Sequence, residues 1–245
     1  MGQRRMNEDV PARWNAATDT VLLDGFHALK HALRFGAEVP VAVAADRGAA
    51  LRLAAELAPD VVGRLDELLV EVGGEGLARL VQRPHPTGVA ALARTVEREP
   101  APGAPVVVLD NPRHLGNIGA VVRLAAGLGA GGVITTGTVD PWHPNVLRAA
   151  AGLHYATAVV RRDVAALPAD RPLYGLDPAG ADIRTVDLPA DAVFAFGSER
   201  AGLSAEVRGR ADALVSLPMR AGVSSYNLAT SVAMVLFHVR PQVAG

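Results

Sequence analysis

Short apolar runs alternate along the chain with segments in which apolar residues recur every three or four positions. The runs predict β-strands, and the spaced segments predict α-helices. In the first part of the chain the pattern predicts strands at 21–23, 39–45 and 87–93, and helices at 26–33, 47–57 and 66–72. Together they make a small α/β unit of about 75 residues, which lies within the usual size range of a domain.

A proline-rich segment follows this unit. Residues 97–105, EREPAPGAP, contain three prolines and one glycine and so interrupt both kinds of regular structure. The expected organisation is a flexible tail at 1–18, a first domain at 19–97, a linker at 98–105 and a second domain at 106–245. The tail is polar and aperiodic, and Arg4, Arg5 and Arg13 leave two interpretations open, a frayed terminus or a segment that touches phosphates.

The same alternation fills the rest of the chain. Strands are predicted at 106–109, 132–135, 158–161, 173–176, 193–196 and 214–217, and helices at 118–128, 144–151, 204–209 and from 227 onward. Because these strands are apolar throughout, we expect the α/β class, with a mostly parallel sheet covered by helices on both faces. Ligands of such sheets bind beyond the strand carboxyl ends, so the loops after Leu109, Thr135, Phe196 and Leu217 are the candidate sites.

Composition narrows the functional classes. Half of the 245 residues are hydrophobic and the formal net charge is −1, so a large core is expected and any RNA contact must come from a local basic patch. Cysteine is absent, which excludes disulfides and thiolate metal sites. The chain shows neither an apolar signal core nor a run of ~20 apolar residues, so we expect a cytoplasmic protein with no membrane partner.

The last predicted helix is preceded by the most polar turn of the second domain. Ser224, Ser225 and Asn227 place hydroxyls and an amide where unpaired backbone N–H groups gather at a helix N-terminus. The helix itself is apolar on every side. We therefore expect it to be buried all round, by its own domain and by a second subunit.

The loop after Leu109 offers both a structural and a functional interpretation. Asn117 is suited to cap the next helix, and Gly119 permits a close approach. Arg123 lies within the first two helical turns, near the strand ends, where a buried arginine would need a partner such as phosphate. A capped helix entry and a binding loop are equally compatible with this segment.

The other loops give weaker signals when they are taken one at a time. Gly197 and Gly202 flank Glu199 after an apolar strand, which suits a backbone that approaches a ligand, although the glutamate could equally be a cap or an ion-pair partner. Trp142 is either a cover for the core or a stacking platform. His27 and His31 are four residues apart but lack a third ligand, so no metal site is predicted.

Three of these loops together resemble the motifs of the SpoU/TrmH family of RNA ribose 2′-O-methyltransferases, within the SPOUT superfamily. The matching segments are Asn117–Arg123, Phe196–Glu199 with Gly202–Ser204, and Leu217–Met219 with Gly222–Leu228, and Leu147–Gly152 resembles a further family segment. The similarity covers the chain from about Val106 onward. The first domain is similar to the L30e-like RNA-binding domain that many members carry.

The resemblance implies a parallel sheet whose C-terminal segment forms a trefoil knot, a homodimer, and S-adenosylmethionine as the methyl donor. It also assigns roles to matched positions. The implied catalytic residues are Asn117, Arg123, Glu199, Ser225 and Asn227. The implied donor-binding residues are Thr135, Gly137, Gly197, Leu217, Met219, Ser225, Asn227 and Leu228. Since a guanidinium stays protonated in proteins, we expect Arg123 to bind phosphate and stabilise the developing alkoxide rather than act as a base.

The RNA itself would be held by a local patch, for which Arg113, His114, Arg148 and Arg200 are the candidates. Two positions depart from the family pattern. Arg200 stands where glycine is usual, and Tyr226 stands where leucine is commoner. Arg200 is either a phosphate contact or a solvated loop residue.

The resemblance implies 2′-O-methylation of a ribose in structured RNA, with ribosomal RNA favoured over transfer RNA. Two other interpretations remain open, an antibiotic-resistance methyltransferase of ribosomal RNA and a non-catalytic RNA-binding assembly factor with the same fold. The nucleotide cannot be read from a short motif, because RNA specificity depends on shape and unstacked bases.

Overall fold

The computed structural model describes residues 2–239. These residues form two compact units, one that extends to Val96 and also includes Ala151–Ala156, and one that comprises Glu97–Ala150 and the chain from Thr157 onward. Each unit has its own sheet. Among the described residues no helix is both long enough and apolar enough to span a membrane.

The first unit is a four-stranded sheet in the order β1-β4-β2-β3, in which β2 and β3 are parallel and the other pairs are antiparallel. Its strands are β1 Thr20–Asp24, β2 Val41–Ala44, β3 Leu69–Glu71 and β4 Val89–Arg94, and its helices are α1 Gly2–Ala16, α2 Phe26–Arg34, α3 Arg47–Leu57, α4 Val62–Leu68 and α5 Gly73–Leu80. Strands β1, β2 and β4 and helices α2 and α3 agree closely with the sequence pattern.

Two parts of this unit differ from expectation. The single helix predicted over 66–72 is instead the end of α4 followed by β3, because Leu69 and Val70 are buried and pair in parallel with β2. Helix α5 was not predicted, since its glycine-rich sequence has low helix propensity and only Leu77 anchors it to the core.

The N-terminal segment is helical where the sequence predicts a flexible tail over residues 1–18. Helix α1 is retained by two residues one turn apart, Val10, which is fully buried, and Trp14, which packs against the same cluster of apolar residues. Arg13 donates a hydrogen bond to the carbonyl of Pro40 at 2.9 Å. Two apolar residues are too few to show a period in the sequence, although their packing suffices to position the helix.

The segment Ala151–Ala156 belongs to the first unit although the chain on both sides of it belongs to the second. The Nδ1 atom of His31 contacts the carbonyl oxygen of Ala151 at 2.8 Å, and the hydroxyl of Tyr155 donates to the carbonyl of Arg94 at 2.9 Å. Tyr155 is almost completely buried. The predicted boundaries place this segment in the second domain, because its contacts are with residues more than 60 positions away and leave no local pattern.

The second unit is a six-stranded, entirely parallel sheet in the order β10-β8-β9-β5-β6-β7. Its strands are β5 Val106–Leu109, β6 Gly132–Thr135, β7 Ala158–Arg161, β8 Leu173–Asp182, β9 Val193–Phe196 and β10 Ala213–Ser216. Its helices are α6 Leu115–Leu128, α7 Pro144–Ala149, α8 Ala205–Arg210 and α9 Leu228–Val239. The α/β class with a parallel sheet is therefore confirmed.

Both faces of this sheet are covered, as continuous apolar strands require. One face packs against residues of α6, α7 and α9. The other packs against Val207 of α8 and against Val164 and Leu167, which lie between β7 and β8. Strand β5 lies between β9 and β6, with Leu109 in register with Phe196 and with Thr135. Three of the four loops singled out from the sequence therefore leave the sheet side by side.

Within its own chain, helix α9 is not buried on every side, and burial by a second subunit remains a prediction. Val232, Val235 and Leu236 face the core, but the side chain of Phe237 is 74% exposed. The residues predicted as a linker are also ordered within the second unit, where the amide of Ala101 donates to the carbonyl of Gly131 at 3.0 Å.

Candidate active site

A cleft of about 680 Å³ lies at the carboxyl ends of β9 and β10, beside the middle of β8. It is lined by three segments, the middle of β8, the loop after β9, and the loop that joins β10 to α9. The residues that line it are Leu176, Asp177, Pro178, Phe196, Gly197, Ser198, Glu199, Arg200, Ala201, Gly202, Leu217, Met219, Ser224, Ser225, Tyr226, Asn227, Leu228 and Ser231. This position agrees with the rule that ligands bind beyond strand carboxyl ends.

The loop after β9 is held in a single compact shape. Ser198 and Gly202 exchange two backbone hydrogen bonds, each 3.0 Å long, so that Glu199, Arg200 and Ala201 form its tip. A Cβ atom on Gly197 would lie 2.0 Å from the carbonyl carbon of Gly202, so only glycine fits there. The absence of a side chain at Gly197 therefore lets the backbone of Gly202 pack directly against it, and the close approach to a ligand stays a prediction.

Asp110 hydrogen-bonds residues that follow β6 and β9, the two strands that flank β5. Its buried carboxylate accepts hydrogen bonds from the hydroxyl of Thr136 at 2.9 Å and from the amide of Ser204 at 2.6 Å. The same hydroxyl accepts from the amide of Asn111 at 2.9 Å. Sequence reasoning missed Asp110 and Thr136, although an aspartate placed directly after an apolar strand was an available signal.

A chain of side-chain hydrogen bonds connects the three motif loops. The Nδ2 of Asn227 donates to the Oδ1 of Asn117 at 3.3 Å, and the Nδ2 of Asn117 donates to the Oε1 of Glu199 at 2.7 Å. These residues are 82 and 110 positions apart in the sequence. The fold thus brings together three of the five predicted catalytic residues.

The direction of this chain is set by helix α9. The Oδ1 of Asn227 accepts from the backbone amides of Ala229 at 2.9 Å and Thr230 at 3.4 Å, so Asn227 is the N-terminal cap of the helix. Since this oxygen is occupied, the amide nitrogen of Asn227 must point outward to Asn117. Each amide in the chain therefore has a fixed orientation, and Glu199 accepts a hydrogen bond from Asn117.

Asn117 does not cap α6, as the sequence had suggested. The helix begins two residues earlier, at Leu115, and His114 occupies the capping position, with its carbonyl accepting from the amides of Asn117 and Ile118. Asn117 lies inside the first turn, which leaves its side chain available to Glu199. Gly119 allows a close approach, but to α7, because a Cβ there would lie 2.5 Å from the Cβ of Ala149.

Six of the eight residues proposed for donor binding line the cleft. They are Gly197, Leu217, Met219, Ser225, Asn227 and Leu228. Thr135 and Gly137 do not line it. Thr135 is fully buried, and its hydroxyl has no hydrogen-bond partner among the described residues, whereas Gly137 packs against Asn111.

The loop between β10 and α9 is closed by Tyr226. Its hydroxyl donates to the carbonyl of Pro218 at 3.0 Å, and its side chain remains 40% exposed. Ser224 and Ser225 lie on the same loop and face the cleft. The tyrosine thus links the two ends of the loop that carries these hydroxyls.

Arg123 is the predicted catalytic residue that the chain does not bring to the cleft. It is exposed, does not line the cleft and forms no ion pair within the described part of the chain. Six residues of α-helix separate it from Asn117, which corresponds to about 9 Å along α6 and about 120° around it. The two side chains therefore face different directions, and the expected position of Arg123 near the strand ends of its own chain is wrong.

The candidate RNA contacts are dispersed. Arg113 and His114 are exposed just before α6, and Arg148 is exposed on α7. Only Arg200 lies in the cleft. Trp142 is a core cover rather than a free stacking platform, because its Nε1 donates to the carbonyl of Val159 at 3.1 Å.

Comparisons with known proteins agree with this geometry. Residues 104–237 match the model of the SpoU rRNA Methylase family. The chain is 31% identical over 241 residues to an uncharacterised tRNA/rRNA methyltransferase of Synechocystis sp., covering 91% of this chain and 84% of that protein. It is 24% identical to the 23S rRNA (guanosine(2553)-2′-O)-methyltransferase RlmP of Bacillus subtilis, covering 91% and 89%.

A solved structure of an rRNA methyltransferase has a similar fold over almost the whole chain. The crystal structure of an AdoMet-bound rRNA methyltransferase from Sinorhizobium meliloti has a TM-score of 0.76 and 25% identity, covering 98% of this chain and 95% of that one. The family model spans more than half of the chain. Two of the motif loops that it includes line the cleft, and the first motif is joined to them by the hydrogen bond from Asn117 to Glu199. The chain therefore belongs to the SpoU rRNA methylase family.

Proposed function

We propose that this protein transfers a methyl group from S-adenosylmethionine to the 2′-hydroxyl of a ribose in ribosomal RNA. The observation that carries the proposal is the hydrogen-bonded set Asn227, Asn117 and Glu199, which joins the first motif to the two motifs that line the cleft. The Bacillus subtilis relative is named for this reaction on 23S rRNA.

The residues of the cleft fit the methyl donor. The volume of the cleft, about 680 Å³, lies within the usual range for small-molecule and cofactor sites. Leu176, Leu217 and Met219 offer apolar contacts, Ser224 and Ser225 offer hydroxyls, and the backbone at Gly197 lies where any Cβ would be excluded. S-adenosylmethionine supplies a methyl group on a positively charged sulfur, which makes that carbon electrophilic.

Glu199 is positioned to manage the proton of the ribose hydroxyl. One carboxylate oxygen is occupied by Asn117, which leaves Oε2 as the acceptor for a hydroxyl that enters the cleft. A carboxylate in this position can orient the hydroxyl and take its proton as the oxygen–carbon bond to the methyl group forms and the sulfur–carbon bond of the donor breaks. Asn117 and Asn227 act by fixing the orientation of this carboxylate.

Arg123 is proposed to act in the cleft of a second copy of the chain. In its own chain it faces away from Asn117 and has no ion-pair partner among the described residues, although a guanidinium can bind phosphate and stabilise an alkoxide. Helix α9 exposes Phe237, an apolar side chain that a partner subunit would cover. Both features support a homodimer as the active form.

A trefoil knot is proposed for the C-terminal part of the second unit. After β9 the chain passes β8 to reach β10 at the edge of the sheet, and α9 then returns to pack in the same cluster as α6, which follows the central strand β5. This return path supports the knot. The first unit is proposed to bind the RNA substrate as an L30e-like domain.

The experiment that tests the proposed function uses the full chain with radiolabelled S-adenosylmethionine and three unmodified transcripts, 23S rRNA, 16S rRNA and a transfer RNA pool. We expect label in ribosomal RNA at one ribose, located by its resistance to alkaline cleavage. Label only in transfer RNA would show that the substrate is transfer RNA rather than ribosomal RNA. Donor binding without transfer to any RNA would favour a non-catalytic assembly factor.

A further inference from the structure

Arg200 lies at the tip of the loop after β9 and lines the cleft. Within the described part of the chain it is the only cationic residue that does so. The loop that carries it is closed by the two hydrogen bonds between Ser198 and Gly202, so the backbone of Arg200 has a fixed position. Arg200 is exposed, so its guanidinium is accessible to a ligand that enters the cleft.

The two carboxylates that line the cleft already have partners. Glu199 is hydrogen-bonded to Asn117 at 2.7 Å. Asp177 forms an ion pair with Arg208 and accepts from the amide of Ala179 at 2.9 Å. Arg200 forms no ion pair or side-chain hydrogen bond with any described residue. The cleft therefore contains one arginine that has no ion-pair partner among the described residues, next in sequence to a carboxylate that is hydrogen-bonded to a neutral amide.

An arginine without an anionic partner at the edge of a ligand cleft is suited to an anion that the ligand brings. Its planar guanidinium presents several N–H donors that match the oxygens of a phosphate in a bidentate arrangement. Glu199, the preceding residue, is proposed to hold the ribose hydroxyl. In RNA a phosphate flanks every ribose on each side, so the group nearest to a ribose at Glu199 is a phosphate.

We propose that Arg200 binds the backbone phosphate adjacent to the ribose that is methylated. This inference rests on the proposed function. Glu199 and Arg200 then form a pair of contacts to one nucleotide, the carboxylate to its hydroxyl and the guanidinium to its phosphate. The pair positions the target nucleotide through its backbone and is indifferent to its base.

The experiment measures binding of the full chain to in vitro transcribed 23S rRNA across a range of salt concentrations, with methyl transfer measured in parallel. The variants are Arg200→Ala and Arg200→Lys. Arg184→Ala is the matched control, because it removes the same charge from a side chain that is already paired with Asp182 outside the cleft. Donor affinity is measured by calorimetry for each protein.

Arg200→Ala should weaken RNA binding about tenfold and reduce the slope of log affinity against log salt by about one. Arg200→Lys should keep the slope and recover part of the affinity, because the charge remains but the bidentate geometry does not. Arg184→Ala should match the wild type. Donor affinity should change less than about threefold in every variant, since the proposed contact is with RNA.

Wild-type RNA affinity and salt slope in Arg200→Ala would overturn the inference. So would a loss of donor affinity with RNA binding intact, which would assign Arg200 to the carboxylate of the methyl donor. Either result leaves the proposed function in place provided that the wild-type protein methylates RNA. Absence of methyl transfer by the wild type would instead reject the proposed function, whatever the salt slope of Arg200→Ala.

Discussion

The side-chain amide of Asn117 donates a hydrogen bond to the carboxylate of Glu199 at 2.7 Å and joins helix α6 to the loop after β9. The amide is itself oriented by Asn227. This contact fixes the direction of the carboxylate.

Replacing Asn117 with aspartate should abolish the function of this contact with little effect on the fold. The new carboxylate would repel Glu199 and could donate no hydrogen bond to it, so we expect turnover to fall about a hundredfold. The thermal midpoint should change by less than about 2 °C, because the side chain lies near the surface. Methyl transfer and thermal unfolding measure the two effects.

The matched control is Asn145→Asp, which makes the same chemical change on α7, where the side chain is exposed and does not line the cleft. It should retain wild-type turnover. Equal losses in the two variants would mean that added negative charge, rather than the contact with Glu199, limits the reaction.

Asn227 has two functions that different substitutions can separate. Asn227→Ser keeps an oxygen that can cap α9 but loses the nitrogen that orients Asn117, so stability should be retained and turnover should fall. Asn227→Ala loses both and should also lower the free energy of unfolding by about 1 kcal/mol. Urea unfolding and methyl transfer distinguish them. Full activity in Asn227→Ser would show that Asn117 needs no partner.

Gly197→Ala should distort the loop after β9, because the added Cβ would lie 2.0 Å from the carbonyl carbon of Gly202. We expect donor affinity, measured by calorimetry, to fall by more than tenfold. Gly209→Ala is the control, since a Cβ on this helical glycine meets nothing within 4 Å. It should stabilise α8 by about 0.5–1 kcal/mol without changing donor affinity. Unchanged donor affinity in Gly197→Ala would place the donor elsewhere.

Phe237→Asp should convert the protein to a monomer. The side chain is 74% exposed on an apolar helix, and a charge at this position would oppose its burial against a second subunit. Light scattering after size-exclusion chromatography measures the oligomeric state. Because Arg123 is proposed to act across the dimer, methyl transfer should be lost with dimerisation.

Leu57→Asp, at an apolar position that is 41% exposed in the first unit, should leave the oligomeric state unchanged. A wild-type protein that is already monomeric and active would reject the homodimer. A Phe237→Asp protein that remains dimeric would place the interface on another surface.

His31 should make the stability of the first unit depend on pH. Burial lowers the pKa of His31 from its ordinary value of 6.5, and Lys30 and Arg34 lower it further. The unfolded chain therefore takes up a proton at a higher pH than the folded protein does. The stability contribution is complete above pH 6.5 and is lost as the pH falls below that value toward the folded pKa.

His31→Gln should remove this component. Between pH 7.5 and pH 5 its thermal midpoint should therefore fall by about 1–3 °C less than the midpoint of the wild type does. His114→Gln, an exposed histidine before α6, serves as the control and should follow the wild type. Parallel pH profiles for wild type and His31→Gln would contradict the assignment.

Much of the second unit was predictable from the sequence, because parallel strands buried on both faces leave uninterrupted apolar runs. Strands β5, β6, β7 and β9 have the predicted bounds. Strand β8 is longer than predicted, since its second half, Asp177–Asp182, has no large apolar residue and yet pairs with β10 across an irregularity in register. Edge pairing of this kind leaves no apolar pattern.

The candidate site was predictable as three motifs but not as a geometry. The pattern supplied Asn117, Glu199 and Asn227, and the chain of hydrogen bonds among them depends on contacts between residues 82 and 110 positions apart. Arg123 was misplaced because spacing along a helix gives distance but hides rotation about the axis. Asp110 was missed because its partners, Thr136 and Ser204, come from two other loops.

The short segment Ala151–Ala156 has a practical consequence for protein engineering. Because it folds with the first unit, the chain passes between the units three times, after Val96, before Ala151 and after Ala156. An isolated fragment that ends near residue 97 would lack the carbonyl of Ala151, which contacts His31, and the hydroxyl of Tyr155, which donates to the carbonyl of Arg94. Chimeras that exchange the first unit between relatives should therefore transplant this segment as well.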